Sequence, residues 1–144
     1  MKMITRDDAI NLLREKGLKL TRQRLAILDV LMEQCEKHPG VTLIFKEARK
    51  RAPRVSLSTV YATVKEFSEI GLVKQLEFDR MENRYDVNLS DHVNLICSRC
   101  GTITDHHIPA HLEPKNISRD SGFVVTDARI EYHGYCPHCL KRQD

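Results

Sequence analysis

Two CxxC pairs constrain the fold of this 144-residue chain more than any other feature. Cys97 and Cys100 form the first pair, Cys136 and Cys139 form the second, and 35 residues separate the pairs. Each CxxC turn can direct two thiolates at one point, and two turns together supply the four soft ligands that tetrahedral zinc prefers. Because four thiolates leave no coordination position for water, the spacing predicts a structural zinc site rather than a catalytic one. The separation exceeds that of a compact zinc ribbon, so we also expect a folded segment between the two pairs, and its strand and helix patterns indicate a small α+β domain.

Two disulfide bonds are the alternative use of these cysteines. The chain begins Met1-Lys2-Met3-Ile4-Thr5-Arg6 without the apolar stretch of a signal peptide, and no apolar run approaches the roughly 18 residues of a membrane helix. We therefore expect a cytoplasmic protein with no membrane partner, in a compartment where thiols stay reduced. The fifth cysteine, Cys35, is expected to be a buried helix residue rather than a reactive thiol.

Charge and potential metal ligands are unevenly distributed along the chain. Residues 1–84 hold 17 Lys and Arg against 12 Asp and Glu, whereas residues 85–144 hold 6 against 8. Six of the seven histidines and four of the five cysteines lie after residue 84. This division predicts polyanion binding in the first half and metal chemistry in the second. A helical domain that its Lys and Arg merely keep soluble is the alternative for the first half.

The first half has the pattern of four amphipathic helices followed by a two-stranded ribbon. Apolar residues recur at helical spacing, with capping residues or helix breakers at the ends, over Thr5–Glu15, Thr21 to about Cys35, Leu43–Arg51 and Ser56–Ile70. Two alternating runs, Leu72–Phe78 and Arg84–Leu89, flank a polar loop. This order predicts a winged helix-turn-helix. In the second half we expect a strand near Ile103, a helix from Pro114 to Arg119 and a strand over Phe123–Tyr132.

A second set of potential ligands does not fit the cysteine site. It consists of imidazoles and carboxylates, which suit iron, manganese, cobalt or zinc: His38, Asp86, His92 and Asp105. An ion that gathered ligands from both halves would fix the angle between them, which is the geometry of a switch. For each of these residues, an ordinary polar surface position is the alternative.

Several motifs in one order carry a resemblance to a known family. They are Gly17-Leu18-Lys19-Leu20-Thr21-Arg22-Gln23-Arg24, Ser56-Leu57-Ser58-Thr59-Val60-Tyr61, Gly71-Leu72-Val73, Asp91-His92, Leu95-Ile96-Cys97-Ser98-Arg99-Cys100-Gly101 and Gly134-Tyr135-Cys136. With them the chain closely resembles the ferric uptake regulator family. The resemblance implies a homodimeric, metal-activated DNA-binding repressor of α+β class. Its parts would be a winged-helix domain over residues 1–84, a hinge over 85–91, and a small α/β dimerisation and metal-binding domain over 92–144.

The resemblance also implies a regulatory ion site. Its ligands would be His38, Asp86, His92, Asn94 and Asp105. Asn94 stands where the family usually has histidine, and an amide oxygen binds a transition metal more weakly than imidazole does. If residues 103–107 are extended, His107 shares a face with Asp105 and can supply the missing ligand.

Aspartate at positions 86 and 105, with His38-Pro39, looks more like the peroxide-responsive repressors than the iron-uptake regulators of this family. In that branch Fe(II) reacts with hydrogen peroxide, a ligand histidine such as His38 or His92 is oxidised, and the repressor leaves DNA. Mn(II) would hold the same shape without the redox reaction. A regulator of iron, manganese or zinc uptake that does not sense peroxide is the alternative within the family.

DNA contacts are implied for Tyr61 on the recognition helix and for Lys19, which can reach the minor groove, with Ser58, Thr59 and Lys65 as further candidates. A homodimer should read an inverted repeat, expected to be AT-rich. Two rivals come from other classes. One is a zinc metalloenzyme using His106, His107 and His111, against which the chain has no HExxH motif; the other is a zinc-stabilised protein-interaction module.

Overall fold

The computed structural model describes residues 4–142, and the chain forms two compact units that divide between Ser90 and Asp91. This division falls inside the segment 85–91 that the sequence analysis treats as a hinge. Within the described residues, no helix has the length and apolar character needed to cross a membrane.

Four helices build the first unit, and three of them have a capping side chain at the residue before the helix. The helices are α1 (Arg6–Glu15), α2 (Arg22–Glu33), α3 (Val41–Arg51) and α4 (Leu57–Glu69), with a 3-10 turn over Cys35–Lys37. The side-chain oxygens of Thr5, Thr21 and Ser56 each accept a hydrogen bond from a backbone N–H three residues ahead, at 3.1 Å. These bonds satisfy N–H groups that have no partner inside the helix.

The core of the first unit lies between these helices. Its largest fully buried side chains come from α1, α2, α3 and α4 and include Leu13, Ile27, Leu31, Ile44 and Phe67. Burial of such side chains stabilises the unit by about 1.5–3 kcal/mol each.

A short antiparallel ribbon completes the first unit as its wing. Strands β1 (Lys74–Leu76) and β2 (Arg84–Asp86) pair with Gln75 opposite Tyr85. Glu82, in the loop between them, accepts hydrogen bonds from the Thr42 backbone N–H at 3.3 Å and from its hydroxyl at 2.8 Å. Because Thr42 lies in the first turn of α3, the wing loop caps that helix. The winged helix-turn-helix prediction is confirmed.

The second unit is a three-stranded sheet with two short helices. Strand β3 (His92–Cys97) pairs antiparallel with β4 (Ile103–His107) and parallel with β5 (Ile130–Gly134), in the order β4-β3-β5. Helices α5 (Pro114–Ser121) and α6 (Pro137–Lys141) lie before and after β5 in the chain. The predicted strand at Ile103 and helix at Pro114 are present.

The predicted strand over Phe123–Tyr132 is wrong in its first part, because β5 begins only at Ile130. Residues 123–129 begin with three consecutive apolar residues and pair with no strand among residues 4–142. Phe123 and Val124 are 73% and 88% exposed. An apolar sequence pattern shows only that a segment can be partly buried, whereas a strand also needs a neighbour that supplies its hydrogen bonds.

Candidate metal centres

The four predicted zinc ligands converge at one point of the second unit. Cys97 ends β3, Cys100 follows in the turn, Cys136 caps α6 and Cys139 lies on α6. Their sulfur atoms all lie within 4.8 Å of one another. The Cys100–Cys136 sulfur separation is 3.8 Å, which matches the edge of about 3.8 Å expected for a tetrahedron with Zn–S distances of about 2.3 Å. No disulfide bond joins any of the five cysteines, and four of them surround one point.

Backbone groups prepare this cluster for a cation. The N–H groups of Cys100 and Cys136 donate to the Cys97 sulfur at 3.5 and 3.4 Å. These bonds lower the pKa of Cys97 to about 6, and hydrogen bonding with Thr102 lowers the pKa of Cys100. Burial and contact with the other thiols raise the pKa of Cys139 to about 12. Four thiolates this close need a divalent cation between them, and the soft, closed donor set fits structural zinc.

Arg99 holds the two cysteine turns together, which sequence spacing did not reveal. From within the first CxxC turn it donates to the carbonyl oxygens of Cys139 at 3.3 Å and Arg142 at 3.0 Å. Its guanidinium also lies over the Tyr135 ring, 5.4 Å from the centroid. A positive charge at the C-terminal end of α6 is favourable to the helix dipole. The one sequence signal was a basic residue between the two cysteines of the first pair.

In the first unit, His38 and Asp86 form a buried pair rather than two surface polar groups. Their side chains are 1% and 2% exposed, and His38 Nε2 lies 3.5 Å from Asp86 Oδ2. The other ring nitrogen, Nδ1, lies 3.2 Å from the Glu36 carbonyl oxygen, which orients the ring. The Asn88 N–H donates to the remaining Asp86 oxygen, Oδ1, at 2.8 Å.

Strand β2 of the wing holds the segment that carries His38. Arg84 donates to the His38 carbonyl oxygen at 3.0 Å, and the Tyr85 N–H donates to the Pro39 carbonyl oxygen at 3.0 Å. These bonds fix His38 in a left-handed conformation with φ of 48°, which is rare for a residue with a side chain. The pair is therefore built into β2 and the turn before α3.

In the second unit, one face of the β3–β4 ladder carries the other predicted ligands. His92 Nε2 lies 3.2 Å from Asp105 Oδ1, and Asn94 is directly opposite Asp105. Asn94 is 5% exposed, and its Oδ1 is buried without a hydrogen-bond donor among the described residues. A buried acceptor without a donor is costly unless a cation satisfies it. This oxygen, beside an imidazole and a carboxylate, fits an iron, manganese or zinc ion.

His107 lies on an extended strand, which is the condition under which we predicted that it could be a metal ligand. Residues 103–107 are extended, and His107 pairs with His92 in the ladder, on the face that carries Asp105. Its side chain is exposed, and its ring stacks on His106 with centroids 4.5 Å apart. His107 as a substitute ligand stays a prediction.

The predicted DNA contacts lie on the first unit, in the turn before α2 and along α4. Lys19 is exposed just before α2, and Tyr61 and Lys65 are exposed on α4, Tyr61 at 55%. The hydroxyls of Ser58 and Thr59 lie 3.0 and 2.8 Å from the Ser56 hydroxyl, so they take part in the cap of α4.

Comparison with known proteins identifies the family. Residues 15–133 match the model of the ferric uptake regulator family. The chain belongs to the ferric uptake regulator family. It is 36% identical to the peroxide operon regulator of Bacillus subtilis strain 168 over 138 residues, which cover 95% of this chain and 94% of that protein.

Two solved structures are similar to the chain. The Campylobacter jejuni peroxide stress regulator is 28% identical, with a TM-score of 0.72 over 90% of this chain and 98% of that one. The Helicobacter pylori ferric uptake regulator Fur has a TM-score of 0.82 over the full length of both chains, but at 20% identity it supports the fold alone.

Members of the ferric uptake regulator family are metal-dependent transcription regulators rather than enzymes. Within residues 4–142, the two clusters of three or more potential metal ligands are formed by residues other than His106, His107 and His111.

Proposed function

We propose that this chain is a repressor whose regulatory ion, Fe(II) or Mn(II), is held by His38, Asp86, His92, Asn94 and Asp105, and which senses hydrogen peroxide through that ion. The observation that carries the proposal is the chemistry of these side chains within each unit. The first unit contributes a buried His–Asp pair. The second contributes a His–Asp pair beside a buried amide oxygen that lacks a donor.

The donor set accounts for the choice of ion. It contains two imidazoles, two carboxylates and one amide oxygen, and no sulfur, so it suits Fe(II) and Mn(II) while the thiol cluster suits zinc. Ligands from residues 1–90 and from residues 91–144 would be joined by one ion, so that metal binding selects one arrangement of the units. Bound Fe(II) supplies the chemistry that reduces peroxide, and oxidation of His38 or His92 removes a ligand. Mn(II) supplies no such reaction.

For DNA, we propose that a homodimer binds an AT-rich inverted repeat. Its α4 would enter the major groove and present Tyr61, with Lys19 placed at the minor groove and Lys65 near phosphates. The excess of Lys and Arg in residues 1–84 supports this assignment.

The test uses the zinc-loaded protein and a duplex selected by it from a random pool. Affinity is titrated without oxygen in the presence of Fe(II), Mn(II) or Zn(II), and each complex is then treated with peroxide. We expect tight binding with Fe(II) and with Mn(II), and loss of binding after peroxide for the iron form alone. Binding that needs no added metal would overturn the proposal.

A regulator of metal uptake is the second candidate, and Asn94 favours it. An amide in place of imidazole weakens the donor set and changes its metal preference. In the same titration, this candidate predicts binding that depends on metal and persists after peroxide in the iron form.

A further inference from the structure

Arg24 connects two segments that the proposed function places on DNA. Its Nη1 donates to the Lys19 carbonyl oxygen at 2.9 Å, and its Nη2 donates to Glu66 Oε2, also at 2.9 Å. Lys19 lies in the turn before α2, and Glu66 lies on α4. The Arg24 guanidinium therefore bridges the backbone at Lys19, which the proposed function places at the minor groove, and α4, which it places in the major groove.

Arg24 and Glu66 lie at an open cleft between α2 and α4. A cleft of about 240 Å³ lies between the start of α2 and α4, with Thr21 and Thr59 on its walls and Ala62 beside them. Arg24 and Glu66 also line it, and their side chains are 22% and 33% exposed. At this open edge of the helix pair, Arg24 links the Lys19 segment to α4, while the buried side chains of α2 and α4 belong to the core of the first unit.

We propose that Arg24 is a positioning residue for DNA binding, which fixes Lys19 relative to α4 so that the minor-groove and major-groove contacts form together. The proposal rests on the proposed DNA-binding function. Arginine suits this task because its planar fork donates in two fixed directions, whereas lysine offers a single ammonium group. Its hydrogen bonds to Lys19 and Glu66 lie within the protein, so Arg24 acts on DNA through Lys19 and α4.

Replacing Glu66 tests the proposal, because a pure charge effect and a positioning effect predict different changes in DNA affinity. If only charge mattered, removing a carboxylate from the recognition helix would strengthen binding to the DNA polyanion or leave it unchanged. If Glu66 anchors Arg24, the same change must weaken binding. Glu69 is an exposed carboxylate at the end of the same helix and provides the matched control.

The experiment measures the affinity of the Mn(II)-loaded, zinc-retaining protein for its selected duplex across a salt series. We expect Arg24→Ala and Glu66→Ala each to weaken binding about tenfold. We expect Arg24→Lys to recover only part of the loss, and Glu69→Ala to bind as the wild type does or more tightly. The slope of log affinity against log salt should fall by about 0.9 in Lys19→Ala. It should fall by the same amount in Arg24→Ala, because Lys19 is no longer held at the DNA there, and the double variant should show no further fall.

A double-mutant cycle separates positioning from general destabilisation. Lys19→Ala should weaken the wild-type protein but have little further effect on Arg24→Ala, since Lys19 is no longer held in place there. Thermal unfolding of each variant checks that the first unit is folded. Unchanged or tighter binding by Glu66→Ala, a salt slope for Arg24→Ala equal to that of the wild type, or additive effects of Arg24→Ala and Lys19→Ala in the cycle would overturn the inference. If the wild-type protein binds no duplex with any metal, the proposed function itself is wrong and the inference falls with it.

Discussion

Replacing Asn94 with leucine tests whether its buried oxygen is a metal ligand. Leucine has a similar shape but no acceptor, so the change removes an Oδ1 atom that is buried without a donor among the described residues. A buried polar atom left without a partner costs about 1–3 kcal/mol. The metal-free Asn94→Leu protein should therefore be more stable than the metal-free wild type by up to that amount.

The metal-bound protein should behave in the opposite way. Loss of one ligand that weakens Mn(II) binding tenfold removes about 1.4 kcal/mol of metal-linked stabilisation at saturating metal. In a domain of about 60–100 residues, a change of about 1 kcal/mol in the free energy of unfolding corresponds to about 4–8 °C in melting temperature. Asn94→Asp is the matched comparison: its carboxylate faces Asp105, so the metal-free protein should be less stable and the gain on adding Mn(II) should be larger.

The assay is thermal unfolding of the zinc-retaining protein with and without Mn(II), with metal content measured alongside. Two results together would show that Asn94 Oδ1 is not a metal ligand. They are an Asn94→Leu protein that is no more stable than wild type without Mn(II), and an increase in melting temperature on adding Mn(II) that equals the wild-type increase.

Three further predictions concern other parts of the chain. Arg99→Ala should lose zinc to a coloured chelator about tenfold faster than wild type, because both carbonyl contacts to the second cysteine turn disappear; an unchanged release rate would show that Arg99 has no part in holding the zinc. Glu82→Ala should destabilise the first unit by about 1 kcal/mol in denaturant unfolding, since α3 loses its cap at Thr42. His107→Ala should lower Mn(II) affinity if His107 replaces the missing imidazole, and identical affinity and stoichiometry by calorimetry would remove it from the ligand set.

Much of the fold could be predicted because its signals are local. Thr5, Thr21 and Ser56 cap helices through bonds to residues three positions ahead, so a short sequence window contains both partners. The zinc site was equally accessible, because CxxC spacing alone brings two sulfurs together and leaves only the meeting of the two turns to the fold.

The remaining features depend on contacts between distant residues. Arg24 and Glu66 are 42 positions apart, and Arg99 reaches carbonyl groups about 40 positions away. No periodicity encodes such pairs. Asn94 could be read as a weak ligand from sequence, but that its oxygen is buried without a donor follows only from the packing of the sheet. The early part of the strand predicted to start at Phe123 failed for a related reason, since its apolar pattern carried no information about a partner strand.

Mass spectrometry of the peptides that contain His38 and His92 is the most direct test of whether the protein senses peroxide through its regulatory ion. The zinc-retaining protein is loaded with Fe(II) or with Mn(II), treated with peroxide and digested. We predict the gain of one oxygen atom on His38 or His92 in the iron form, with water as the product of peroxide, and no gain in the manganese form. Unmodified His38 and His92 in the iron form would contradict it.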